Sequence, residues 1–71
     1  MRIRLVRDVP VHPKHGLTQG REFEVVSMNT KGERGSFKLF VRGDEGVEVG
    51  VYMKECEVLS GNFTEVPERR V

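Results

Sequence analysis

Apolar and polar side chains alternate with a period of two over four separate stretches, the spacing of half-buried strands. In residues 1–7, Ile3 and Leu5 share one face, with Arg2, Arg4 and Val6 on the other. Residues 21–28 set Phe23 and Val25 against Glu22 and Glu24, and residues 36–42 set Phe37, Leu39 and Val41 against Lys38, Phe40 and Arg42. In the fourth stretch Val47, Val49, Val51 and Met53 oppose Glu48, Gly50 and Tyr52. A glycine in mid-strand, here Gly50, predicts a bend or bulge. Met53-Lys54-Glu55 predicts a single helical turn, and Cys56-Glu57-Val58-Leu59 a short fifth strand. No helical period runs for ten residues.

The connections are as informative. Residues 8–16 carry Pro10 and Pro13, which cannot donate to a ladder and hold their predecessors extended. A long, semi-rigid loop is expected there, tightening at Gly16 and Gly20 and laying Leu17 on the core. Residues 29–35 are polar and punctuated by Gly32 and Gly35, a flexible link between neighbouring antiparallel strands. Gly43-Asp44-Glu45-Gly46 predicts a tight hairpin turn. From Ser60 onward there is no period, and residues 60–71 are expected to form a mobile tail. The expected core is Ile3, Leu5, Leu17, Phe23, Val25, Phe37, Leu39, Val49, Val51 and Val58. The class is all-β, and closing five short strands into a barrel over residues 1–59 would leave no exposed edge.

Seventy-one residues make one domain that buries about 60% of its unfolded surface, a marginal core. The single cysteine, Cys56, excludes an internal disulfide and fits a reducing compartment as a small packed side chain. No apolar run nears membrane-spanning length, and residues 1–4 lack the apolar segment of a signal peptide, so a cytoplasmic location is expected. The net charge of +1 does not announce nucleic acid. Its distribution is polarised: four bases against one acid in residues 1–20, balance in residues 21–46, and three bases against five acids thereafter.

The long first loop, Leu17-Thr18-x-Gly20-x-x-Phe23-Glu24-Val25, the Gly-Asp-Glu-Gly hairpin, one short turn and a final Glu57-Val58-Leu59 together resemble the small SH3-like barrels. Such barrels are common as short single-domain proteins of bacteriophages and prophages. The resemblance spans roughly residues 3–59. It implies a fold and carries no active site with it. The chain departs from the peptide-binding members in having no Trp and one Tyr, so docking of a proline-rich motif on an aromatic-lined groove is not expected.

Candidate chemistry is sparse. His12-x-x-His15 with Cys56 offers three zinc ligands where a structural site wants four, and surface histidines are the plainer reading. Cys56 near a histidine is the material of a nucleophile and base, yet the apolar period around it favours a core thiol. Ser27, Ser36 and Ser60 have no nucleophile elbow. Glu22, Glu24, Glu48 and Glu57 sit at outward strand positions, where solvation explains them. Gly32-x-x-Gly35 and Gly43-x-x-Gly46 open no helix and cradle no phosphate. No enzyme and no cofactor are expected.

The oddity is Phe40, outward between Lys38 and Arg42. An aromatic between cations resembles a platform for single-stranded bases, and Arg2 and Arg4 would extend it if the first and third strands lie close. It equally suits a protein contact, or a ring that covers the barrel beneath the loop or the tail with Lys and Arg stems around it. The candidate binding residues are therefore Lys38, Phe40, Arg42, His12, His15, Arg2 and Arg4. The expected function is a non-enzymatic protein-interaction module, with a host protein as partner if the phage resemblance is real. The alternative is a nucleic-acid-binding accessory protein using the basic, aromatic strand face. Self-assembly through an exposed strand edge is a third reading.

Overall fold

Five strands form where the alternation places them: β1 (Arg2–Leu5), β2 (Glu22–Asn29), β3 (Lys38–Arg42), β4 (Glu48–Tyr52) and β5 (Cys56–Ser60). This computed structural model describes residues 1–29 and 37–68. The expected link at residues 29–35 falls, beyond Asn29, outside the described residues. All pairings are antiparallel and the strand order is β4-β3-β2-β1-β5. Helical geometry among the described residues is confined to single 3-10 turns at Pro13–His15, Met53–Glu55 and Phe63–Glu65. None of it is long and apolar enough to cross a membrane.

β2 serves two half-sheets. Its residues 22–24 pair with β1, and its remainder pairs with β3. Between Val25 and Ser27 the register shifts, so Val26 is a bulge residue. A bulge bends its strand and flips the faces beyond it. Val25 points inward opposite Val41, and after the bulge Met28 takes the inward place opposite Leu39 while Ser27 turns outward opposite Phe40. The bend lets side chains of both half-sheets share one core.

The sheet does not close. Among the described residues no ladder joins β4 to β5, which lie at its two ends and are connected through the Met53–Glu55 turn. The closed barrel expected from the sequence is thus replaced by an open five-stranded sheet. Gly50 also departs from expectation, since the β3–β4 register runs through Phe40↔Gly50 without a shift. Instead it clears space: a Cβ there would stand 3.0 Å from the Lys38 Cδ and 3.3 Å from the Phe40 ring.

Eight of the ten expected core residues are buried: Ile3, Leu5, Leu17, Phe23, Val25, Leu39, Val49 and Val51. Phe37 is partly buried at the margin, and Val58 is 39% exposed. Among the described residues β5 pairs with β1 alone, and past the buried Cys56 its side chains are exposed. Val47 and Met53, expected on the apolar face of the fourth strand, lie beyond its ends and are exposed. Val9, Val41, Cys56 and Val66 complete the core.

Val66 corrects the expectation of a tail from Ser60. The Asn62 carboxamide accepts the Thr64 N–H at 3.0 Å, and the Glu65 carboxylate accepts the Asn62 N–H at 2.8 Å. This capping box turns the chain so that Val66 enters the core at 6% exposure. The Met28 N–H then donates to the Pro67 carbonyl at 2.9 Å, beside a parallel bridge from Met28 to Glu68. The segment 61–68 is therefore tied to the sheet through Val66, Pro67 and Glu68.

Candidate functional site

Since Leu39 and Val41 point inward, Lys38, Phe40 and Arg42 share the outer face of β3. Cross-strand rows follow from the register: Asn29–Lys38–Tyr52, Ser27–Phe40–Gly50, and Arg42–Glu48. The Lys38 ammonium lies 5.3 Å from the centroid of the Tyr52 ring, a cation–π contact. Phe40 is half-buried in the space Gly50 leaves. Arg42 reaches Glu48 at 3.7 Å. The ends of this row are about 13 Å apart at the rise of a strand.

Arg2 and Arg4 are not brought to this face. They stand on β1, which β2 separates from β3. The Arg2 Nε donates to Glu22 at 3.1 Å, the Arg4 Nε to Glu57 at 2.7 Å, and the Met1 ammonium to Glu24 at 3.0 Å. Three of the carboxylates expected to be simply solvated, Glu22, Glu24 and Glu57, are thus ion-paired with residues 1–4. Such exposed pairs contribute about 0–1 kcal/mol each, yet they occupy the cations.

The histidines belong to a third place. His12 caps the Pro13–His15 turn, its Nδ1 accepting the Lys14 N–H at 3.1 Å. The His15 carbonyl accepts the Asp44 N–H at 2.9 Å, docking the first loop on the β3–β4 turn. Arg21 locks the contact: its guanidinium donates to both Asp44 carboxylate oxygens at 2.7 and 3.0 Å and to the Gly16 carbonyl at 2.7 Å. Gly16 has φ +72, and a Cβ there would overlap the Arg21–Asp44 pair. The Arg21 hydrogen bonds hold the Asp44 carboxyl below its ordinary range, with desolvation opposing in part. The His15 Nδ1 is buried without a hydrogen-bond partner among the described residues. Cys56 lies in the core, its thiol pushed up by burial first and by Glu55 second. No group of three His, Cys, Asp or Glu suited to a metal occurs among the described residues, so His12, His15 and Cys56 do not converge.

A concave site lies at the Lys38–Tyr52 end. Phe37, Tyr52, Met53 and Lys54 line an open-sided groove of 320 Å³. The Phe63 ring meets Phe37 edge-on, with centroids 5.5 Å apart and planes at 87°. Tyr52, Met53 and Phe63 are exposed. Glu55 fixes the turn from beneath: it is buried, and its carboxylate accepts the Tyr52 N–H at 2.9 Å. The sequence expectation missed this groove because it assigned Phe37 to the core and Phe63 to a tail. The signal for the Phe37–Phe63 contact was Asn62-x-x-Glu65, a capping pattern that folds Phe63 back. No family model, curated protein or solved structure matches the chain.

Proposed function

We propose that the chain is a non-enzymatic interaction module that takes a peptide segment of another protein in the groove of Phe37, Tyr52, Met53 and Lys54. The observation that carries this reading is the groove itself, a concavity walled by half-buried Phe37, exposed Tyr52 and Met53, and Lys54 on a small domain. Its 320 Å³ falls at the lower end of the ligand-site range, about 300–1,000 Å³. The strand order, the folded-back first loop and the 3-10 turn between β4 and β5 support an SH3-like arrangement. On the phage resemblance the partner is a host protein, met in the cytoplasm, where Cys56 stays reduced.

The contact surface is accordingly moved from Phe40, Arg42, His12 and His15 to the Tyr52 end, with Lys38 as the shared member. A nucleic-acid reading draws less support. Arg2, Arg4 and Arg42 are paired with carboxylates, and each phosphate contact would have to displace one. The test is selection of a displayed random-peptide library on the immobilised chain. Enriched peptides should bind wild type and lose binding to a folded Tyr52→Ser variant, while Arg2→Gln leaves it intact. Enrichment indifferent to Tyr52→Ser would refute the groove.

A further inference from the structure

Among the described residues the groove carries cations that no carboxylate pairs, and the same holds for Arg7 and Lys14 elsewhere on the surface. Arg2, Arg4, Arg21 and Arg42 each face a carboxylate. Lys38 and Lys54 form no ion pair with a carboxylate among the described residues. One of these lysines is in the groove wall, and the other rests on the ring of Tyr52 beside it. The nearest acid in sequence, Glu55, is buried and engaged by the Tyr52 N–H. Among the described residues the concavity is therefore apolar at its centre and cationic at its rim.

Resting on the groove reading above, we propose that its ligand is an acidic peptide with one large apolar side chain. That side chain fills the space against Phe37 and Met53, and flanking carboxylates reach Lys38 and Lys54. Complementary rim charge favours such a partner over a neutral one and speeds encounter. Two further contacts weigh against single-stranded nucleic acid. The Lys38 ammonium covers one face of Tyr52, and Phe37 is engaged with Phe63. Base stacking needs open ring faces, and this site has few.

The test measures fluorescence anisotropy of a labelled Asp-Glu-Leu-Phe-Asp-Glu peptide against its Asn-Gln-Leu-Phe-Asn-Gln counterpart and a thymidylate hexamer. The protein is wild type, Lys38→Gln, Lys54→Gln or Tyr52→Ser, each checked for folding by circular dichroism. The acidic peptide should bind about four- to twenty-fivefold more tightly than the amide one at low salt, each lysine contributing about two- to fivefold. Each lysine variant should remove its share of that preference. Equal binding of the two peptides, still abolished by Tyr52→Ser, overturns the acidic class and leaves the groove standing. Acidic-peptide binding that survives Tyr52→Ser overturns both. Failure of the acidic peptide to bind, or tighter lysine-dependent binding of the thymidylate hexamer, overturns the proposal.

Discussion

Replacing Val66 by alanine tests whether the chain beyond Ser60 is part of the fold. The substitution removes two methyl groups from a side chain 6% exposed. At about 0.8 kcal/mol per buried CH₂, the transfer loss is roughly 1.6 kcal/mol. A cavity left by partial relaxation raises it to about 2–3 kcal/mol. For a domain this small, about 4–8 °C of melting temperature goes with each kcal/mol, so a fall of roughly 8–24 °C is expected. Removing residues 62–71 should cost more. It also deletes the Met28–Pro67 hydrogen bond, worth about 1 kcal/mol, and the Phe63–Phe37 ring contact, worth about 0.5–1.5 kcal/mol. Thermal and urea unfolding followed by circular dichroism measures both variants. A Val66→Ala protein melting within about 2 °C of wild type would show that this valine supports nothing, and the packing account of residues 61–68 would fall.

Leu39, fully buried, should cost about 2–5 kcal/mol as Leu39→Ala, and urea midpoints will show whether β3 has its faces the right way round. The Asp44 carboxyl has a lowered folded pKa, so its contribution is complete above about pH 4 and is lost as pH falls through the lowered value. The melting-temperature gap between wild type and Asp44→Asn should therefore narrow below pH 4, and a gap constant with pH would remove the latch from the account. Cys56, buried with a raised thiol pKa, should react slowly with a thiol reagent at pH 8 in the folded protein and rapidly in urea. Fast native labelling would contradict its place in the core.

Strand identity was legible because alternation is local: Ile3 and Leu5, or Leu39 and Val41, announce their face within five residues. The hairpin turn and the Met53–Glu55 turn were legible for the same reason. What escaped depended on distant partners. Val58 alternates correctly, yet it lies on an end strand, a fact belonging to the sheet order. Gly50 looked like a bulge, while the actual bulge at Val26 sits in an unbroken apolar pair, Val25-Val26, with no glycine to mark it. Of the candidate residues, Lys38, Phe40 and Arg42 share the outer face of β3, which alternation alone made legible. The ion pairs of Arg2 and Arg4 needed the β1 registers, and the Phe37–Phe63 ring contact needed Phe63 brought back by its capping box.

The bulge in β2 also divides the molecule by the time at which its halves can form. The β3–β4 hairpin closes over a few residues, and β2 needs only the following link to join it. The β1–β5 ladder, by contrast, unites Arg4 with Glu57, 53 positions away. Loop-closure entropy grows with that separation, and non-local pairings set slow folding rates. We expect the β2-β3-β4 half to order before the rate-limiting barrier and the β1–β5 pairing after it. Substitutions in β3 should then slow refolding, and substitutions in β5 should chiefly hasten unfolding. Opposite assignments of the two arms in a denaturant chevron would reverse this order. On this route the element that ties the two ends of the sheet's sequence together governs how long the native state persists.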